Sequence, residues 1–122
     1  MAPDRLLPYE YAVTDRVVDT RPLIRALVAD LRRGTPAGEV AARFHETAAA
    51  FTLDACRKLR DNGGPQNVAL CGGVMQNARL VARLLELLPR AGLEPHIHRE
   101  VPPNDGGLSL GQTVVAAART KS

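Results

Sequence analysis

Two short stretches carry the residues whose types and spacing could do chemistry. In VALCGGVMQN, residues 68–77, Gly72 and Gly73 stand where an apolar run gives way to a helical pattern. Glycine lacks Cβ, so the backbone there can adopt unusual angles and approach a ligand closely. A helix start just beyond offers unpaired N–H groups and a partial positive charge, a favourable place for a phosphate oxygen. Asn77 can bond such a ligand or fix the turn. The doublet serves equally well as a tight packing turn between strand and helix. It is neither a GxGxxG fingerprint nor a Walker A loop, and alone it leaves both readings open.

The second stretch is VPPNDGGLSLGQ, residues 101–112. Two prolines stiffen the approach, and Asp105 projects from a loop in which Gly106 and Gly107 are expected to clear space around it. A carboxylate beside a phosphate site is a sensible ligand for a hard divalent cation. Capping of the next helix by Asn104 or Asp105 is the plainer alternative, but it leaves the paired glycines unexplained. His96 and His98, two apart, share one face of a strand. That spacing suits a solvated strand better than a metal pair. His45 follows Phe44 in a helical pattern and reads as a hydrogen-bonded interface residue. Cys71 adjoins the glycine turn, yet a buried strand-end thiol explains it better than a nucleophile does.

These residues need elements to position them. PYEYAV (8–13) and DRVVD (15–19) read as short strands. Pro22 opens a helix that Gly34 ends, with Leu23, Ile24, Leu27, Val28 and Leu31 on one face. Thr35 and Pro36 cap and start a long helix whose stripe is Val40, Phe44, Ala48, Phe51, Ala55 and Leu59. NVALC (67–71) is a strand apolar enough to be buried on both faces. A helix from about Asn77 to Leu88, a strand over 94–100 and a closing helix over 108–119 complete the chain. Strands, two helices and then β–α–β–α predict an α/β layer with two neighbouring parallel strands. Ligands collect outside the carboxyl ends of strands in such sheets, which places both turns on one edge.

Composition bounds the rest. At 122 residues the chain is expected to be one domain, and a core of Ala, Val and Leu with no Trp suits helices on a sheet. A net charge of +3, with arginines interleaved among acids and few aromatics, argues against a nucleic-acid partner. No apolar run is long enough to span a bilayer, and MAPDRLLPYEY has no signal-like apolar region. Cys56 and Cys71 form no CxxC motif and read as reduced, buried thiols, so a cytoplasmic location is expected.

FHETAAAF, VALCGGVMQNARLVARLLELL and AGLEPHIHREVPPNDGGLSLGQTVVAAAR closely resemble the C-terminal end of the HypF carbamoyltransferases of hydrogenase maturation. The resemblance runs from about residue 8 to residue 119, and the combination GGVxQN with PxNDGGLSLGQ is highly specific. It implies that 1–122 is a single partial domain, the second lobe of an actin/Hsp70-like (ASKHA, RNase H-like) ATPase fold with a mixed sheet and packed helices. It further implies conversion of carbamoyl phosphate and ATP to carbamoyl-adenylate, and transfer of the carbamoyl group to the C-terminal cysteine of a HypE-like acceptor. By the same resemblance Gly72, Gly73, Asn77 and Gly106 belong to a nucleotide site, and Asp105 is a ligand to a divalent metal (iron, zinc or magnesium). Cys71 stands where serine is commoner. The family's first lobe, with its metal-binding histidine pair, has no counterpart here, nor do the adenylate-forming domains. The chain is therefore expected to be inactive alone and to need a first-lobe subunit or self-association. The alternative expectation is a non-catalytic interaction module or a remnant derived from that lobe.

Overall fold

The computed structural model describes residues 6–121, so Ser122 and the first part of the N-terminal stretch lie outside it. The chain opens with a minimal antiparallel pair, β1 (Ala12–Val13) and β2 (Val18–Asp19), in which Val13 faces Val18. Helices α1 (Arg21–Arg32) and α2 (Ala37–Asp61) follow. Then come β3 (Asn67–Leu70), α3 (Ala78–Arg90), β4 (Glu94–Ile97) and α4 (Leu108–Arg119). β3 and β4 pair in parallel, Asn67 opposite Glu94 and Leu70 opposite Ile97, with α3 as the crossover. The α/β class with packed helices is as expected. Its antiparallel and parallel strands form two separate two-stranded sheets among the described residues.

The core lies where α2 and α3 cover the parallel pair. Leu84 and Leu88 are fully buried, and Leu70, Leu80 and Leu93 nearly so, around Ala49. The spacing of Leu80, Leu84 and Leu88 presents one face of α3 to the sheet. Full burial of each such leucine stabilises the fold by about 1.5–3 kcal/mol. Across the same interface the Arg83 guanidinium reaches Glu46 of α2 at 3.0 Å, and within α3 it pairs with Glu86 at 2.7 Å.

A second, polar centre fastens the N-terminal segment. Tyr9 is 1% exposed; its backbone N–H donates to Thr47 Oγ1 at 2.8 Å and its hydroxyl donates to Asp30 Oδ2 at 2.7 Å. Arg43 lies 4.1 Å above the Tyr9 ring and 3.2 Å from the same carboxylate, which also binds Arg33. The Tyr9 hydroxyl, and then the two guanidinium charges, hold the Asp30 carboxyl below the usual carboxylate range against the opposing effect of burial.

Several expected faces differ. On α1 only Leu23 among the predicted apolar stripe is buried, while Ile24, Val28 and Leu31 are exposed. The inward side of α1 is instead given to Asp30 and its partners. On α2, Phe44 and Leu59 lie on the surface, because the helix turns Thr47 towards Tyr9 and Ala49 towards the leucine core. Pro36, not Thr35, is the capping residue of α2, and no side chain caps it. β3 buries only Leu70, since a two-stranded sheet has no neighbour to cover its other side. Cys56 is half-buried and Cys71 is exposed, so the expected buried pair of thiols is not found.

Candidate functional site

β3 delivers the chain to Cys71 and Gly72 at its carboxyl end. Gly72 has φ 96° and ψ 163°, a combination that side chains disfavour strongly, although a Cβ there would meet nothing within 4 Å. Glycine is thus required by backbone angle rather than by crowding. The Gly72 N–H donates to the carbonyl of Pro103 at 2.7 Å, a direct bond between the two chemistry-bearing loops. A 3-10 turn, Gly73–Gln76, intervenes before α3, which begins at Ala78 as the expected start near Asn77 required. The N–H groups nearest the doublet therefore belong to this turn. Met75 within it packs on the leucine core.

Asn77 closes the turn. Its Oδ1 accepts from the Leu80 N–H at 3.1 Å, capping α3, and its Nδ2 lies 2.8 Å from His45 Nε2. His45 Nδ1 is 2.8 Å from the Ala41 carbonyl one helical turn back along α2. The histidine is the interface residue that its sequence context predicts.

The second loop leaves β4 after Ile97 and reaches a 3-10 turn at Asp105–Gly107, which runs directly into α4. Asn104 Oδ1 accepts from the Gly106 N–H at 3.0 Å and so caps this short turn; α4 itself follows Gly107 with no side-chain cap, so neither Asn104 nor Asp105 caps the closing helix directly. A Cβ on Gly106 would stand 3.0 Å from Pro102 Cγ, and one on Gly107 would stand 2.8 Å from the Pro102 carbonyl oxygen. These glycines therefore admit the Pro102 backbone and ring; they do not clear space around Asp105, which is exposed.

Between the two loops and α4 runs an open-sided groove of about 900 Å³, within the size range of small-molecule sites. Gly72 and Asp105 both line it, as do Cys71, Pro103 and Asn104. Gly73, Asn77 and Gly106 are not among its lining residues. The far wall comes from one face of α4: Leu108, Gln112, Val115 and Arg119. Their spacing of three and four is the sequence signal that could have assigned this wall. His98 lines the groove beyond the end of β4, whereas His96 bonds to Asn67 Oδ1 at 2.8 Å, so the two histidines do not act as a pair. The lining is largely apolar, with Asn104, Asp105, Gln112 and Arg119 among its polar members.

The donor set does not complete a metal site. Among the described residues no three His, Cys, Asp or Glu side chains are gathered so as to hold an ion, and Asp105 is one carboxylate where such ions take several donors.

The profile of the family described as "Carbamoyltransferase, Kae1-like Domain, second subdomain" matches residues 2–112. The chain belongs to that family. It is similar to the carbamoyltransferase HypF of Rhizobium leguminosarum bv. viciae, 41% identical over 113 residues that make up 92% of this chain and 14% of that protein. Identity to the Synechocystis carbamoyltransferase HypF is 37% over 95 residues, 78% of this chain and 12% of that one. The crystal structure of full-length HypF in its phosphate- and nucleotide-bound form superposes over 100% of this chain and 16% of its own, with TM-score 0.88 and 36% identity. Likeness of that degree over the whole chain fits the second lobe of an ASKHA-like fold. The chain spans 14% and 12% of the length of these two curated relatives. No described helix is long and apolar enough to cross a membrane.

Proposed function

We propose that this chain forms one wall of the nucleotide cleft of a HypF-type carbamoyltransferase, acting as a single lobe over its whole length. The observation that carries the reading is the Gly72 to Pro103 hydrogen bond, which holds the two loops together along one groove. In this reading ATP or carbamoyl-adenylate lies in the groove, its base against Leu108 and Val115 and its phosphates towards Gly72 and Gly73. Gly106 shapes the loop from behind, and Asn77 fixes the turn. Asp105 supplies one ligand to a divalent metal (iron, zinc or magnesium), the others coming from outside this chain. The carbamoyl group derives from carbamoyl phosphate and passes to the C-terminal cysteine of a HypE-like acceptor, in the cytoplasm, during nickel–iron hydrogenase maturation. Support comes from the bound state of the matching structure and from the relatives' activity.

The chain is inactive alone in this proposal and requires a first-lobe partner. Mixing it with the remainder of a HypF-type protein should restore carbamoyl transfer from carbamoyl phosphate and ATP to the acceptor cysteine, read by intact mass. Asp105→Ala should abolish transfer without unfolding the chain. Absence of transfer with both parts folded overturns the reading. A second reading, a non-catalytic interaction module, is favoured by α4, which buries none of its residues and exposes Leu108, Leu110, Val114 and Val115. It predicts partner binding that Asp105→Ala leaves unchanged.

A further inference from the structure

We propose that His45 is a positioning residue for the Gly72–Asn77 turn, acting through Asn77 in one fixed tautomer; the claim rests on the reading of that turn as the phosphate-facing one. The hydrogen bonds determine every proton. The Leu80 N–H can only donate, so the Asn77 oxygen faces α3 and its amide nitrogen faces the imidazole. That nitrogen also only donates, so His45 Nε2 accepts from it at 2.8 Å. The Ala41 carbonyl only accepts, so His45 Nδ1 carries the hydrogen, again at 2.8 Å. In these bonds the ring donates from Nδ1 to its own helix at one end and accepts Asn77 at Nε2 at the other.

The turn is pinned at both ends by bonds from outside its own segment. Gly72 is tied to Pro103 at its start, and Asn77 is tied to His45, 32 residues away, at its finish. Between the pins the Met75 N–H and Asn77 N–H bond only locally, to Gly72 and Val74 carbonyls. Asn77 can rotate to serve the Leu80 cap alone if His45 is lost, so capping by itself does not set the turn's position. The second anchor converts a capped helix start into a turn fixed against α2, which packs on α3 in the leucine core.

The test uses the full chain labelled with ¹⁵N, titrated with Mg–ADP. In wild type the imidazole nitrogens should give the Nδ1–H pattern. His45→Leu and Asn77→Ser, the latter retaining a cap, should shift the Gly72 and Gly73 amides before any ligand is added. Each should weaken ADP by about threefold to tenfold, the effect of one hydrogen bond, with little change in thermal midpoint. His45→Gln, which can present an acceptor at the same reach, should recover much of the affinity. The double variant should be no weaker than either single one. Wild-type glycine resonances and wild-type affinity in His45→Leu, or the Nε2–H tautomer, overturn the proposal. If wild type itself binds no ADP, the nucleotide reading of the isolated chain fails, and the ligand-free glycine shifts and tautomer decide the positioning role.

Discussion

Gly72–Gly73 and Gly106–Gly107 belong to two loops joined by the Gly72 to Pro103 hydrogen bond, yet different forces keep side chains out of Gly72 and Gly107. At Gly72 the surroundings are empty and the backbone angle forbids a Cβ; at Gly107 the angle is ordinary and the Pro102 carbonyl occupies the space. Gly73 is subject to neither constraint: its φ is not positive and a Cβ there would meet nothing within 4 Å. A doublet that is free sterically on its exposed side can accept a ligand there. A doublet filled from behind serves to set the loop that carries Asp105.

That contrast can be broken by substitution, most severely at Gly72. Gly72→Ala should cost about 2–3 kcal/mol, from the excluded backbone region, and should disturb the Pro103 bond with it; urea denaturation gives the loss directly. Gly107→Ala should cost about 1–2 kcal/mol through the overlap with Pro102, and its amide exchange should rise locally around residues 101–107. Gly73→Ala should change stability by less than about 0.5 kcal/mol. If the open doublet faces phosphate, the same change should nevertheless weaken Mg–ADP, measured by calorimetry. A large stability loss at Gly73, or none at Gly72, would remove the distinction.

The smallest effect is a reference remote from both loops. Because the Asp30 carboxyl is held below its unfolded range, its contribution is present above the unfolded pKa and is lost as pH falls through the folded one. The thermal midpoint should fall on acidification below about pH 4, and Asp30→Asn should flatten that fall. Neither change should move the Gly72 or Gly107 resonances.

The closing helix and the Asn-Asp-Gly-Gly turn were legible because their signals are local: 108–119 was expected and Leu108–Arg119 is observed. So was the parallel pair, from the β–α–β order. What local patterns could not give was orientation. Ile24, Val28 and Leu31 obey helical periodicity, but Asp30 wins the interior side of α1 through Tyr9 and Arg43, partners far away in sequence. The expected two-sided burial of β3 failed for a related reason, as apolar composition does not reveal how many strands lie alongside. Within the candidate site, Gly72 and Asp105 meet at the groove, whereas the contact of Asn77 with His45 depends on how α2 lies against α3. No periodicity within either helix encodes that.

One feature of α4 bears on time rather than shape. None of its twelve residues is buried, and a helix of that length is marginal in water without tertiary cover. Its amides lie on an exposed helix, while those of α3 are sealed by Leu84 and Leu88. The same polypeptide therefore carries two clocks, a slow one under the leucine core and a fast one along the groove's far wall. Whatever covers α4 would announce itself by slowing the second clock towards the first.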